Sequence, residues 1–334
     1  MQKLGLALGI TSALLMSAAP MAKTHYEDGA SVQLATTAAS LDNADYSLGA
    51  DGVRFPSILL KLSERISVVL WVELEAGRLH MLRRREQGDG WDFVLSRPVS
   101  IGKAGSGKQY EGDNKTPIGI YSVSDLIADE DLIDFYGFGA FPLSYPNNWD
   151  RRLGRTGYGI WLHGLPKTVQ SRPRLDSEGC VVIDNKTLHW IATAIDPQRT
   201  RVVLGPELTW SDTDNTLGLQ KQIGKHFADW LAAWSANDTA AYLNFYHPTF
   251  SDGKKNLDQW RAYKTRINAA KNWINVAASD VSIFSYPGES DLLAVEYRQR
   301  YRSSNYNHNG RKTVFWQRVD DNQWQIVYEG SGQL

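Results

Sequence analysis

The chain has 334 residues, with 36 Lys and Arg against 37 Asp and Glu, and a formal net charge of −1. That balance excludes bulk electrostatic attraction to nucleic acid. The length exceeds one typical core, so two domains are expected, and 12 Trp with 15 Tyr favour β-structure and aromatic-lined surfaces.

In chain order, Lys3 supplies a short positive start, residues 4–16 are mostly apolar, and small residues follow to Ala22. Residues 1–22 therefore read as a secretory signal, too short to span a bilayer. The mature chain is expected outside the cytoplasm, most simply in a bacterial periplasm. No other stretch reads as a transmembrane span. Residues 23–60 carry little periodicity and form a lead segment, a candidate docking or dimerisation arm that would make a homodimer.

Residues 61–206 read as a mostly β domain with long loops and one short helix. Residues 67–75 are β-branched and aromatic, Gly77 marks a turn, and residues 78–85 and 91–99 follow as partner strands. Further strand signals lie at 119–123, 159–163, 180–183 and 201–204. Asn185 is the expected N-cap of the helix, whose apolar face is Leu188, Ile191, Ala192 and Ile195 before Pro197. Residues 207–215 read as a linker. In residues 216–334, Ile223, Phe227, Trp230, Leu231 and Trp234 form a helical stripe. Asp238 caps a second helix, and Trp260, Tyr263 and Ile267 mark a third. Four strand-like runs follow, at 276–286, 292–301, 312–319 and 323–328. Helices followed by a meander predict an α+β domain.

The chemistry centres on Cys180, the single cysteine. An exported chain with one thiol has either an intermolecular bridge or a working thiol. Cys180 lies in Ser177-Glu178-Gly179-Cys180, downstream of His163-Gly164. A thiol nucleophile needs a base, because the thiolate attacks and a free cysteine is mostly protonated at neutral pH. The histidine ends one strand and the cysteine begins another. Adjacent strands would bring them together, with the Gly164 carbonyl orienting the imidazole and the Gly179 and Cys180 amides forming an oxyanion hole. The competing reading is an inert cysteine beside a satisfied core histidine. Two other motifs carry less. Residues 102–108 fit a phosphate-binding loop up to Lys108, but Gln109 stands where Ser or Thr must ligate magnesium. His163, Cys180 and His189 lack zinc spacing with a fourth ligand.

The His-Gly and Ser-x-Gly-Cys pair, with Thr116-Pro117-Ile118-Gly119-Ile120-Tyr121 after a glycine-rich turn, resembles the L,D-transpeptidase (YkuD-type) catalytic domain of bacterial cell-wall enzymes. The resemblance spans residues 66–205. It implies a YkuD-like β-sandwich with Cys180 as nucleophile, His163 as base, Gly164 as orienting carbonyl, and no metal or organic cofactor. The commoner family version carries a second histidine where Glu178 stands, and an arginine after the cysteine where this chain has Val181-Val182-Ile183. That variant, with a helix-then-sheet domain resembling nuclear transport factor 2 (NTF2) behind it, is similar to the cell-shape L,D-carboxypeptidases. The implied substrate is the peptidoglycan stem peptide, cleaved between meso-diaminopimelate and D-Ala, with water or an amine as acceptor. Release of wall-linked lipoprotein and a non-catalytic wall-binding scaffold are the alternatives. Ser177, Glu178, Arg172 and Arg174 are candidate stem contacts beside Gly179. In the second domain Trp260, Tyr263, Trp273, Tyr297, Tyr301, Tyr306 and Trp316 either line a pocket for wall substrate or fill core.

Overall fold

The protein is described from a computed structural model covering residues 55–86, 91–211, 213–320, 323–332 and 334. The expected secretory signal, and the 23–54 part of the lead segment with its dimerisation role, lie outside the described residues.

The order of layers follows from which faces are apolar. A five-stranded sheet runs Trp91–Pro98, Arg78–Arg84, Val68–Glu73, Thr200–Gly205, Gly119–Ser122 across its width. Its neighbours are antiparallel except Val68–Glu73 with Thr200–Gly205, which are parallel. The run Val68-Val69-Leu70-Trp71-Val72 shows no polar alternation because both faces of this sheet are covered. Val68, Leu70, Val72, Val202 and Leu204 point into a core shared with a four-stranded sheet. That second sheet runs Val181–Ile183, Trp161–Gly164, Gly139–Pro142, Ile127–Ala128. Val69, Trp71, Ile120 and Val203 point the other way, into a core shared with the C-terminal half of the chain. The first two sheets form the mainly β sandwich expected for the N-terminal half.

The C-terminal half is α+β, as expected. Its six-stranded sheet runs Tyr246–Ser251, Gln323–Ser331, Asn307–Asp320, Leu292–Ser303, Ile274–Ser285, Leu59–Lys61. The last strand comes from the start of the described chain and pairs antiparallel with Ile274–Ser285. Helices Thr213–Ser235, Thr239–Leu243 and Leu257–Ala269 cover one face. Their stripe of Ile223, Phe227, Trp230, Trp234, Tyr242 and Trp260 packs on Tyr297, Trp316 and Ile326. Asp238 caps the second of these helices through the Ala241 amide, as expected. Helix Thr213–Ser235 begins inside the expected linker, and Trp210–Ser211 pairs with Phe55–Pro56.

The other face of this sheet presents Phe284, Leu292, Ala294, Phe315 and Val327 to Val69, Trp71 and Trp149. Trp149 stacks on Phe315 with ring centroids 5.1 Å apart. Asn147 donates to the Tyr286 hydroxyl and to the Ile120 carbonyl, both at 2.9 Å. Arg201 reaches across as a two-pronged pair to Glu296, at 2.5 and 3.1 Å. The two halves therefore share a continuous apolar and polar interior.

One expectation fails at the helix beside the cysteine. Asp184, not Asn185, is the N-cap: its Oδ1 accepts the Thr187 amide at 2.8 Å, and Asn185–Ala192 is the helix. Both residue types cap well, but the Asn185 carboxamide is spent elsewhere.

Candidate active site

The four-stranded sheet brings Cys180 and His163 to one end and one face. Strand Trp161–Gly164 pairs in parallel with Val181–Ile183, with His163 opposite Val182. Cys180 precedes that strand and falls opposite Trp161, so with period-two alternation its side chain shares the face of His163. The residue is half-buried, and its sulfur lies 3.4 Å from the Gly159 carbonyl. His163 is 1% exposed, and its Nδ1 is 2.8 Å from the Gly164 carbonyl. A carbonyl only accepts, so Nδ1 carries the proton and Nε2 is an acceptor.

Three loops hold the approach to the sulfur. Ser177 donates its hydroxyl to the Cys180 carbonyl at 2.6 Å and accepts the Gly179 amide at 3.1 Å. That bond engages the Gly179 amide inside the loop. Gly179 sits at φ +126°, and a Cβ there would lie 2.8 Å from the Lys115 carbonyl, so only glycine fits. Thr116 of the Thr-Pro motif donates to the Gly179 carbonyl at 3.0 Å and accepts the Gly102 amide at 2.9 Å. The loop that mimics a phosphate site is organised from inside. Lys108 pairs with Asp113 at 2.8 Å, and Asp113 also accepts the Gln109, Tyr110 and Lys115 amides. Those donors overcome burial and hold the Asp113 carboxyl at about 2.

The rim separates the expected contacts. Arg172 binds Asp176 through Nε at 2.8 Å and lies under the Phe135 ring, 5.7 Å from its centroid. Among the described residues its buried Nη1 has no hydrogen-bond partner. Arg174 instead runs beside Gly77 and donates to the Leu74 carbonyl at 3.1 Å. Glu178 is 83% exposed and pairs with Lys103 at 3.4 Å. The sequence reading missed Phe135 and Tyr136. The Tyr136 ring packs edge-on to His163 at 5.0 Å and against Trp161 at 4.9 Å, and Phe135 lies 6.0 Å from the imidazole.

Burial sets the electrostatics. It pushes the Cys180 thiol above its ordinary range, and Glu178 adds to that while the Trp161 amide opposes it. Burial lowers the His163 imidazole to about 4, against the Gly164 carbonyl, with Arg172 lowering it further. At pH 7 Cys180 is therefore a thiol and His163 a neutral imidazole. The His163 shift also makes acid stability a readout. The unfolded imidazole takes a proton first, so stability is complete above about pH 6.5 and is lost as pH falls towards 4, by about 3 kcal/mol. Thermal melts between pH 7 and 4 should show His163→Phe losing less stability than the parent across that window. Parallel curves would contradict the burial argument.

A second concavity lies in the C-terminal half, a cavity of about 610 Å³ lined by Trp234, Trp260, Tyr301, Lys264, Lys312 and Glu329 among others. Lys264 is 4% exposed, with its ammonium 4.3 Å from the Trp234 ring and 4.5 Å from the Trp260 ring. Burial lowers it to about 8, with Glu329 opposing. Tyr263 and Tyr306 also line this cavity, whereas Tyr297 and Trp316 are core and Trp273 is exposed outside it. Among the described residues no group of His, Cys, Asp or Glu is arranged to hold a metal, and no helix is long and apolar enough to cross a membrane.

Residues 67–204 match the YkuD family, the L,D-transpeptidase catalytic domain, and residues 222–330 match the Cds6 C-terminal NTF2-like domain. The chain carries an L,D-transpeptidase catalytic domain followed by an NTF2-like domain. The first belongs to a peptidoglycan-acting enzyme family. Bd1075 of Bdellovibrio bacteriovorus is 28% identical, with a TM-score of 0.69 over 84% of this chain and 99% of that one. The helical cell shape determining protein Pgp2 of Campylobacter jejuni is 24% identical, with a TM-score of 0.70 over 82% of this chain and 95% of that one. A search of the curated proteins finds no match. The fold of both domains of this chain is thus shared along nearly the whole length of these structures. In the L,D-transpeptidase domain, His163 lies on one of the two parallel strands of the smaller sheet and Cys180 immediately precedes the other.

Proposed function

We propose that the chain is a periplasmic cysteine acyl-transfer enzyme that edits peptidoglycan stems, with Cys180 as nucleophile and His163 as base. The observation that carries this reading is the His163 Nδ1 bond to the Gly164 carbonyl on the strand beside Cys180, which leaves Nε2 to accept the thiol proton.

In the proposed reaction the Cys180 proton passes to His163 Nε2 as the sulfur bonds to the carbonyl carbon between meso-diaminopimelate and D-Ala. The oxyanion meets the Cys180 amide. The C–N bond then breaks, His163 returns the proton to the leaving amine, and D-Ala departs from a thioester. Water or an amine attacks that thioester, its proton goes to His163, and the thiol is restored. With water the product is a tripeptide and the enzyme an L,D-carboxypeptidase. With an amine from another stem the product is a cross-link and the enzyme an L,D-transpeptidase. Arg172, Ser177 and Glu178 lie around the loop that the stem must cross. Incubation with disaccharide-tetrapeptide, with and without Cys180, is the test.

The NTF2-like domain supplies wall retention in this reading. Its cavity combines sugar-sized aromatic walls with a desolvated ammonium suited to a stem carboxylate. Lys264→Met, made in the Cys180→Ala background so that binding alone is read, should lower retention on purified sacculi about tenfold. Unchanged retention would remove the cavity from the reading. The fold shared with a helical cell shape determining protein makes cell shape the expected phenotype.

A further inference from the structure

The Asn185 carboxamide lies between two backbone segments that both touch the imidazole. Its Nδ2 donates to the Leu165 carbonyl at 2.7 Å, and its Oδ1 accepts the Phe138 amide at 2.7 Å. The first segment, Gly164-Leu165, carries the carbonyl that holds His163 Nδ1. The second carries Phe135 and Tyr136, whose rings pack on the imidazole. The fit admits no side chain at Gly164 or at Gly137. A Cβ at Gly164 would lie 2.0 Å from Asn185 Oδ1, and one at Gly137 would lie 2.1 Å from it. The glycine after the histidine is therefore required for space as well as for its carbonyl. Neither bond is part of the helix that Asn185 begins, since Asp184 caps that helix.

We propose that Asn185 is the positioning residue of the His163 imidazole, tying the segment whose Gly164 carbonyl orients it to the segment that carries its aromatic wall. Asn185 touches no reacting atom and acts through Gly164 and Tyr136. The inference deepens the reading of His163 as base and rests on it for its catalytic consequence, while its structural content stands separately. Without the carboxamide the wall loosens, water reaches the ring, and the Nδ1 bond loses its fixed acceptor.

The test is nitrogen-15 NMR of the imidazole in the full mature chain, with His163→Gln used to assign its signals. The parent should show protonated Nδ1 and bare Nε2 down to about pH 4. Asn185→Ala should raise the midpoint by about one unit or more as burial is lost. It should also lower kcat on disaccharide-tetrapeptide about tenfold with KM nearly unchanged, because a misaligned base is felt in the transition state. Asn185→Ser, which keeps a polar group at the helix start, is measured beside it so that a folded variant is in hand. Lower melting temperatures with the midpoint, the tautomer and kcat all unmoved would overturn the proposal and leave Asn185 an ordinary packing residue. A parent without Cys180-dependent products would instead overturn the enzymatic reading, and the NMR midpoint would still decide the clamp.

Discussion

Replacing Cys180 with alanine is expected to abolish every product formed from disaccharide-tetrapeptide, a loss of at least ~1,000-fold against the parent. Removal of a nucleophile leaves only what binding and oxyanion contacts contribute, because no thioester can form. The variant should fold as the parent does. Cys180 is only partly buried, and the hydrogen bond of its thiol to the Gly159 carbonyl is long at 3.4 Å. Mass spectrometry of the products then separates the acceptors. Cys180-dependent tripeptide alone identifies water, and a Cys180-dependent dimer joined between two diaminopimelates identifies an amine. If the parent yields neither, the reading moves to release of a wall-linked protein, or to a scaffold that retains the fold. Equal product from parent and variant would sink the cysteine mechanism outright. The neutral thiol–imidazole pair adds a constraint on conditions. Burial keeps Cys180 protonated and His163 neutral at pH 7, so activity should not require the acidic range in which a thiolate–imidazolium pair would be sought.

The local chemistry of this site was more legible in sequence than its supports. His163-Gly164 and Ser177-Glu178-Gly179-Cys180 carry their signal in adjacent residue types, which is why strand ends and a tight loop were expected there. Phe135, Tyr136 and Asn185 carry none, because their roles come from backbone contacts across segments remote in sequence. The usable trace was Gly137 beside Gly164, two glycines that a single carboxamide excludes from bearing side chains. The cap shows a different limit. Asp184 and Asn185 are both good caps in adjacent positions, and only the reach of Asp184 Oδ1 to the Thr187 amide decides between them. Fold class was readable from the hairpin runs and the helix-then-meander order. The sharing of one core by both halves was not. Val68-Val69-Leu70-Trp71-Val72 reads as a strand, yet a continuous apolar run does not say which partner covers its second face. The short edge strand Leu59–Lys61, which joins the sheet of the distant half, is too brief to carry a pattern.

That shared core determines how the second domain should be tested, and it yields the largest expected effect on stability. Truncating the chain before the NTF2-like domain would strip Phe284, Phe315 and Val327 from Val69, Trp71 and Trp149, exposing an apolar face on the catalytic half. It would also leave Arg201, buried at 2% side-chain exposure, without Glu296. Loss of activity in such a truncation would therefore report misfolding as readily as lost recruitment. Glu296→Gln isolates the electrostatic part. Gln is nearly isosteric and can still accept a hydrogen bond, but it cannot neutralise a buried guanidinium, whose other hydrogen bond among the described residues goes to the Thr200 carbonyl. Breaking a buried pair from one side costs about 3–5 kcal/mol because the surviving charge stays desolvated. Arg311 lies 3.7 Å from the same carboxylate, so a second cation loses its partner in the variant and the cost should fall in the upper part of that range. Replacing both partners with apolar residues, Arg201→Met with Glu296→Leu, should recover much of the loss, since it removes the charges together. Denaturant melts followed by tryptophan fluorescence would measure both. A single-variant loss under about 1 kcal/mol would mean that water reaches the pair and that the two halves are joined by the apolar contacts alone.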